Sequence, residues 1–138
     1  MKRYIFVMLF AVSSAVFLTG IPDLTGPTVS NVTSSNSNGT YTAKDTIMIN
    51  IEFNEVSFVE GTPKLVLGAG AVDLGAANYL SGSGTKTLDF IYIISDQVNT
   101  EDLDYANENS LQLNGGSIKD FVGNNANLTL PNAGAEGS

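Results

Sequence analysis

The sequence predicts an all-β protein, an antiparallel β-sandwich preceded by an apolar N-terminal segment, and three observations carry that reading. Beyond residue 26 the apolar residues recur with period two: in "DTIMINIEFNE" Ile47, Ile49, Ile51 and Phe53 fall on one side and Met48, Asn50 and Glu52 on the other. Turn-rich pieces such as "SSNSNGT", "VEGTP", "SGSG" and "NGG" separate short strand candidates that are spaced at roughly ten to fifteen residues. No segment past residue 26 shows the 3.6-residue stripe of an amphipathic helix.

The elements follow in order. Lys2 and Arg3 precede the apolar run "YIFVMLFAVSSAVFL", which meets Thr19, Gly20 and Pro22, the layout of a signal peptide or membrane-targeting segment over residues 1–25. The run lacks the polar face of a core helix and is short for a comfortable transmembrane span. "LTGI" is similar to a lipoprotein box, but Ile21 stands where the acylated cysteine would be. Residues 26–138 then form one module. "PTVSNVT" opens it, "DTIMINIEFNE" is its first long strand, and "TKTLDFIYII" repeats the pattern with Leu88, Phe90, Tyr92 and Ile94. "PKLVLGA", "ANYLSG", "LDYA", "LQLNGGSI" and "ANLTL" supply shorter strands. Seven or eight short strands in about 110 residues suit an immunoglobulin-like sandwich with one small core.

Composition narrows function. Setting Lys2 and Arg3 aside leaves four lysines against fourteen acidic residues, a formal −10, and the lysines are scattered, which excludes a nucleic-acid partner. Such a surface favours solubility and divalent cations. Without cysteine no disulfide braces the exported domain. Without His or Cys the commonest general base and the thiol nucleophile are missing, and a small sandwich with short loops offers little cleft for a carboxylate pair, so the chain reads as a non-enzyme. "GAGAVDLG" and "SGSGTKT" lack the remaining residues of nucleotide loops and read as hairpin or loop glycines.

The ordered blocks "GPTVSNVTSSNSNGTYTAKDTI", "FNEV", "GTPKLVL", "YLSGSGTKTLDFIY" and "DLDYANENSLQLNGGSIKDFVGNNANLTLP" together resemble the immunoglobulin-like repeats of large bacterial surface and adhesin-type proteins, including the swimming-motility surface protein repeat, over residues 26–138. The resemblance implies an exported structural or adhesive module, secreted or at the cell surface. Its partners would be neighbouring modules or cell-surface components, and the membrane would be touched only through the N-terminal segment. It also implies one more apolar strand after Ser138, so the sandwich is expected to lack its last strand. A carbohydrate- or other ligand-binding sandwich is the alternative. That reading needs exposed aromatics, yet Trp is absent and most Tyr and Phe sit in strand patterns that suggest burial, leaving Tyr41 and Tyr79 as the side chains to substitute.

The corner "SIKDFVGNN" carries Asp120, Gly123, Asn124 and Asn125 in an Asp-x-x-Gly-Asn spacing. Two readings stand. Asp120 accepts local backbone N–H groups in a tight turn; or Glu55, Asp120 and the side-chain carbonyl of Asn124 supply part of a calcium shell. A second acidic stretch, Asp96, Glu101, Asp102, Asp104 and Glu108, fails the EF-hand pattern because Val98 and Glu101 occupy ligand and glycine positions. Asp102 and Asp104 alternate with Leu103 and Tyr105 as one strand with a solvated face and a core face.

Overall fold

A computed structural model describes residues 20–69, 72–96 and 103–134. The expected N-terminal segment lies outside these residues but for its last few positions, as do Glu101 and Asp102. The described chain is all-β: β1 (Val29–Ser34), β2 (Thr46–Glu60), β3 (Lys64–Ala69), β4 (Val72–Ser81), β5 (Thr85–Ile93), β6 (Asp104–Tyr105), β7 (Leu111–Gln112) and β8 (Ser117–Lys119). Every strand pairing is antiparallel, in the order β1-β2-β5-β4-β3-β6, with β7 also on β3 and β8 on β2.

Period two sets the two long strands. Ile47, Ile49, Ile51 and Phe53 of β2 are buried, and the cross-strand pairs Ile47–Tyr92, Ile49–Phe90 and Ile51–Leu88 place the buried residues of β5 directly opposite. β2 extends past "IEFNE" through Glu60, which takes the first residues of "VEGTP" out of the expected turn. Its pairing with β5 breaks between Glu52 and Ser57, and its far end, Phe58 to Glu60, pairs with β8 instead.

β3 and β4 pair as a hairpin about "GAGAVDLG", as one of its two readings has it, but the strand begins already at Val72, so "VDLG" belongs to β4 and not to a loop. A bulge lies opposite Leu67 and Gly68, which pair with Gly75 and Asp73, so Leu74 has no cross-strand partner in β3. Gly75 bears the positive φ of 90° that the bulge requires, and its N–H donates to Asp73 Oδ1 at 2.8 Å. The Leu74 carbonyl accepts the buried Tyr92 hydroxyl at 2.7 Å. "ANLTL", expected as a strand, makes only isolated bridges around it, Thr28 with Asn127 and Lys119 with Asn125. Its backbone spans a gap: Asn127 N–H donates to Pro27 at 2.7 Å and Leu130 N–H to Glu108 at 2.9 Å.

The sheet is curled, with one apolar interior drawn from all eight strands. Its end strands, β1 and β6, both line an apolar cleft of about 150 Å³ with Ile47, Ile49, Leu65 and Leu67 beneath them. Among the described residues no strand pairs with the outer edge of β1 from Val29 to Ser34. Tyr105 is buried and its hydroxyl donates to the Pro131 carbonyl at 2.6 Å. Asp104 does more than face solvent, because its Oδ2 accepts the Gly134 N–H at 2.8 Å and ties the C-terminal stretch to this margin.

Candidate metal centre

β8 delivers Asp120 to one pole of the curled sheet. The register Phe58–Lys119 places the end of β8 beside the last residues of β2, and Glu55 lies just before them, in the break between Glu52 and Ser57 of the β5 pairing. After Asp120 the chain turns through Phe121 and Val122 and returns at Asn124, closing with Asp120 N–H to the Asn124 carbonyl at 3.1 Å. Gly123 takes φ 100°, which a side chain would strain.

Asp120 is nearly buried and organises the turn. Its Oδ1 accepts Gly123 N–H at 2.6 Å and Asn124 N–H at 2.8 Å, and its Oδ2 accepts Asn124 Nδ2 at 2.6 Å. Burial opposes its charge, but the hydrogen bonds from Asn124, backbone and side chain, and from the Gly123 and Val122 backbone outweigh that cost and hold its carboxyl below the usual carboxylate range. It is therefore ionised at neutral pH.

The structure brings Glu55 and Asp120 together and adds a third carboxylate that sequence reasoning missed. One oxygen each from Asp23, Glu55 and Asp120 lies within 4.8 Å of the other two. Asp23 belongs to the stretch assigned to the N-terminal segment, yet it is tied to the domain: Asn124 Nδ2 also donates to the Asp23 carbonyl at 3.1 Å and the Thr25 carbonyl at 3.3 Å. Asp23 Oδ1 in turn accepts from Thr25 N–H at 3.1 Å and Thr25 Oγ1 at 3.0 Å. Three oxygens surround the Asn124 amide nitrogen, through which it braces Asp120 and the entry segment.

Three carboxylate oxygens at this separation fit one hard cation, because calcium holds oxygens at 2.3–2.6 Å and so spaces opposite ligands by roughly 5 Å. The triad would fill part of a six- to eight-oxygen shell. Lys86 lines the same depression, its Nζ on the Asn54 carbonyl at 2.9 Å.

The pole also exposes aromatics, against the expectation of burial. Phe121 is 87% exposed and Val122 62% exposed, and Phe121 packs its ring against Phe58 at 6.2 Å between centroids. Tyr79 is engaged elsewhere, edge-on to Phe90 at 5.9 Å with its hydroxyl accepting Ser83 N–H at 3.0 Å. Tyr41 donates its hydroxyl to the Ser37 carbonyl. Comparison with family profiles, curated proteins and solved structures finds nothing that matches this chain.

Proposed function

We propose that the chain is an exported immunoglobulin-like module that spaces or presents a bacterial surface protein and is stiffened by calcium where the chain enters it. The observation that carries this reading is the origin of the three carboxylates: Asp23 lies on the entry segment, whereas Glu55 and Asp120 belong to the body of the sheet. A spacer bends first at its entry. A cation shared by Asp23, Glu55 and Asp120 would cross-link that hinge to the domain and offset the repulsion of three close carboxylates. In this reading the curled sheet is an immunoglobulin-like sandwich, and the cleft between β1 and β6 takes one further strand from beyond the described residues. The apolar run before Gly20 directs export, to a secreted or cell-surface location.

Calcium binding to the folded state raises its melting temperature by mass action. The test compares melting in chelator and in millimolar calcium for the parent and for Asp23→Asn, a change on an exposed segment. A rise in the parent that Asp23→Asn removes supports the proposal; equal melting temperatures for the parent in the two conditions would end it.

A further inference from the structure

The calcium reading leaves Phe121 and Val122 unexplained. They form the tip of the turn that Asp120 organises, and exposing a Phe by 87% forfeits the burial that usually places it inside. Val56 and Phe58, 40% and 39% exposed, continue the apolar surface on β2. Two depressions flank Phe121, one reaching Asp23, Glu55, Val56 and Lys86, the other Phe58, Glu60 and Lys119. An apolar tip is thus ringed by carboxylates and by two of the four lysines outside the N-terminal segment.

The position of this tip in the chain narrows what covers it. Asp23 lines the same depression as Phe121 and Val122. Just before it stand Ile21, 95% exposed, and Gly20, where the described residues begin, two residues after the apolar run "YIFVMLFAVSSAVFL" ends at Leu18. Whatever holds that run therefore lies within a few residues' reach of Phe121, since extended chain spans about 3.3–3.6 Å per residue.

We infer that this pole lies against a zwitterionic phospholipid surface, with Phe121 and Val122 in the interfacial layer beside the tether. The inference rests on reading residues 1–25 as a membrane-targeting segment that remains attached. Charge selects the lipid. With calcium on the triad, the carboxylates of Asp23, Glu55, Glu60 and Asp120 are balanced by the cation together with Lys86 and Lys119, so the pole carries no cationic excess to favour an anionic surface. Mixed charge around an apolar tip suits a headgroup carrying both phosphate and ammonium: the lysines extend to the phosphates, and Glu60, the carboxylate of these depressions that lies outside the triad, takes an ammonium group. Phe121 and Val122 need descend only the roughly 5–10 Å typical of interfacial apolar side chains.

The chain contains no tryptophan, so one introduced residue reports alone. The full chain carrying Phe121→Trp is mixed with vesicles of phosphatidylethanolamine and phosphatidylcholine, with and without brominated acyl chains. Val122→Trp serves as a second reporter. Ile93→Trp is the far control: Ile93 is 62% exposed and pairs with Thr46, about ten residues or ~30 Å along β2 from Glu55. The expected result is co-sedimentation with vesicles, together with a blue shift and bromine quenching at positions 121 and 122 and neither at 93. Co-sedimentation without quenching at 121 and 122 overturns the inference and leaves the tether intact. Failure to co-sediment overturns both. A blue shift at 121 without vesicles means that protein covers the tip, and also overturns it.

Discussion

The register of β5 decides the whole core, and Phe90→Ala tests it. Phe90 is fully buried, sits opposite Ile49 of β2 and Tyr79 of β4, and meets the Tyr79 ring edge-on. Truncating a buried Phe to Ala costs about 3–5 kcal/mol through lost transfer energy and the cavity left behind. The Tyr79 contact accounts for roughly 0.5–1.5 kcal/mol of that, as an aromatic pair beyond its area. At about 4 °C per kcal/mol for a domain of this size, the melting temperature falls by roughly 12–20 °C. Phe121→Ala, at 87% exposure, should stay within about 0.5 kcal/mol of the parent. The assay is urea unfolding followed by circular dichroism, with a Tyr79→Leu, Phe90→Leu double-mutant cycle to isolate the pair. A loss below about 1 kcal/mol for Phe90→Ala, or equal losses for the two phenylalanines, would refute the register, because a one-residue slip turns Phe90 outward and Asp89 inward.

Two titrations make further predictions. The Asp120 carboxyl is held low in the folded state, so its contribution is complete above the unfolded value, about pH 4, and vanishes as pH falls through the folded one. The melting-temperature gap between the parent and Asp120→Asn should therefore narrow from pH 6 to pH 2, and a constant gap would contradict the assignment. Tyr92 behaves oppositely, because burial and then the charge of Asp73 push its phenol up. Its contribution is full below about pH 10 and is lost above, so Tyr92→Phe should be about 0.5–1.5 kcal/mol less stable than the parent at neutral pH, through the lost bond to Leu74, and lose less between pH 9 and 11.

What was legible in the sequence was what period two writes locally. Ile47 to Phe53 and Leu88 to Ile94 announce their buried face because nothing interrupts the alternation. Only the second half of β4, "ANYLSG", was legible; the first half hid behind its glycines and its bulge, because buried positions fall at Leu74 and then Ala77, an odd step that no strand template matches. Long-range geometry was invisible. Glu55 and Asp120 meet because the β5 pairing of β2 breaks between Glu52 and Ser57 and its last residues, Phe58 to Glu60, pair with β8, a choice made by pairing partners and not by local propensity. Asp23 was masked by its place behind an apolar run, and its link to Asn124 closes a loop of 101 residues.

The turn reading and the cation reading of the Asp120 corner were set against each other from sequence, but the geometry makes them overlapping uses of one carboxylate. An ionised carboxylate offers about four lone-pair sites. Gly123 and Asn124 N–H take Oδ1, Asn124 Nδ2 takes Oδ2 and the Val122 backbone adds a fourth bond, so the turn engages the whole carboxylate, and a cation at Asp120 would share an oxygen with one of these donors. The same Nδ2 secures the backbone of Asp23 and Thr25 and so holds the third carboxylate near the other two. Substituting Asp120 damages the turn, the entry clamp and the triad together, and any loss it causes is ambiguous between them. Asp23 contributes its carboxylate to the triad while its backbone carbonyl, which any residue supplies, does the clamping. Asp23→Asn therefore removes charge from the triad and leaves the Asp120 turn bonded, which is why position 23, and not the more conspicuous Asp120, separates a cation site from a well-made turn.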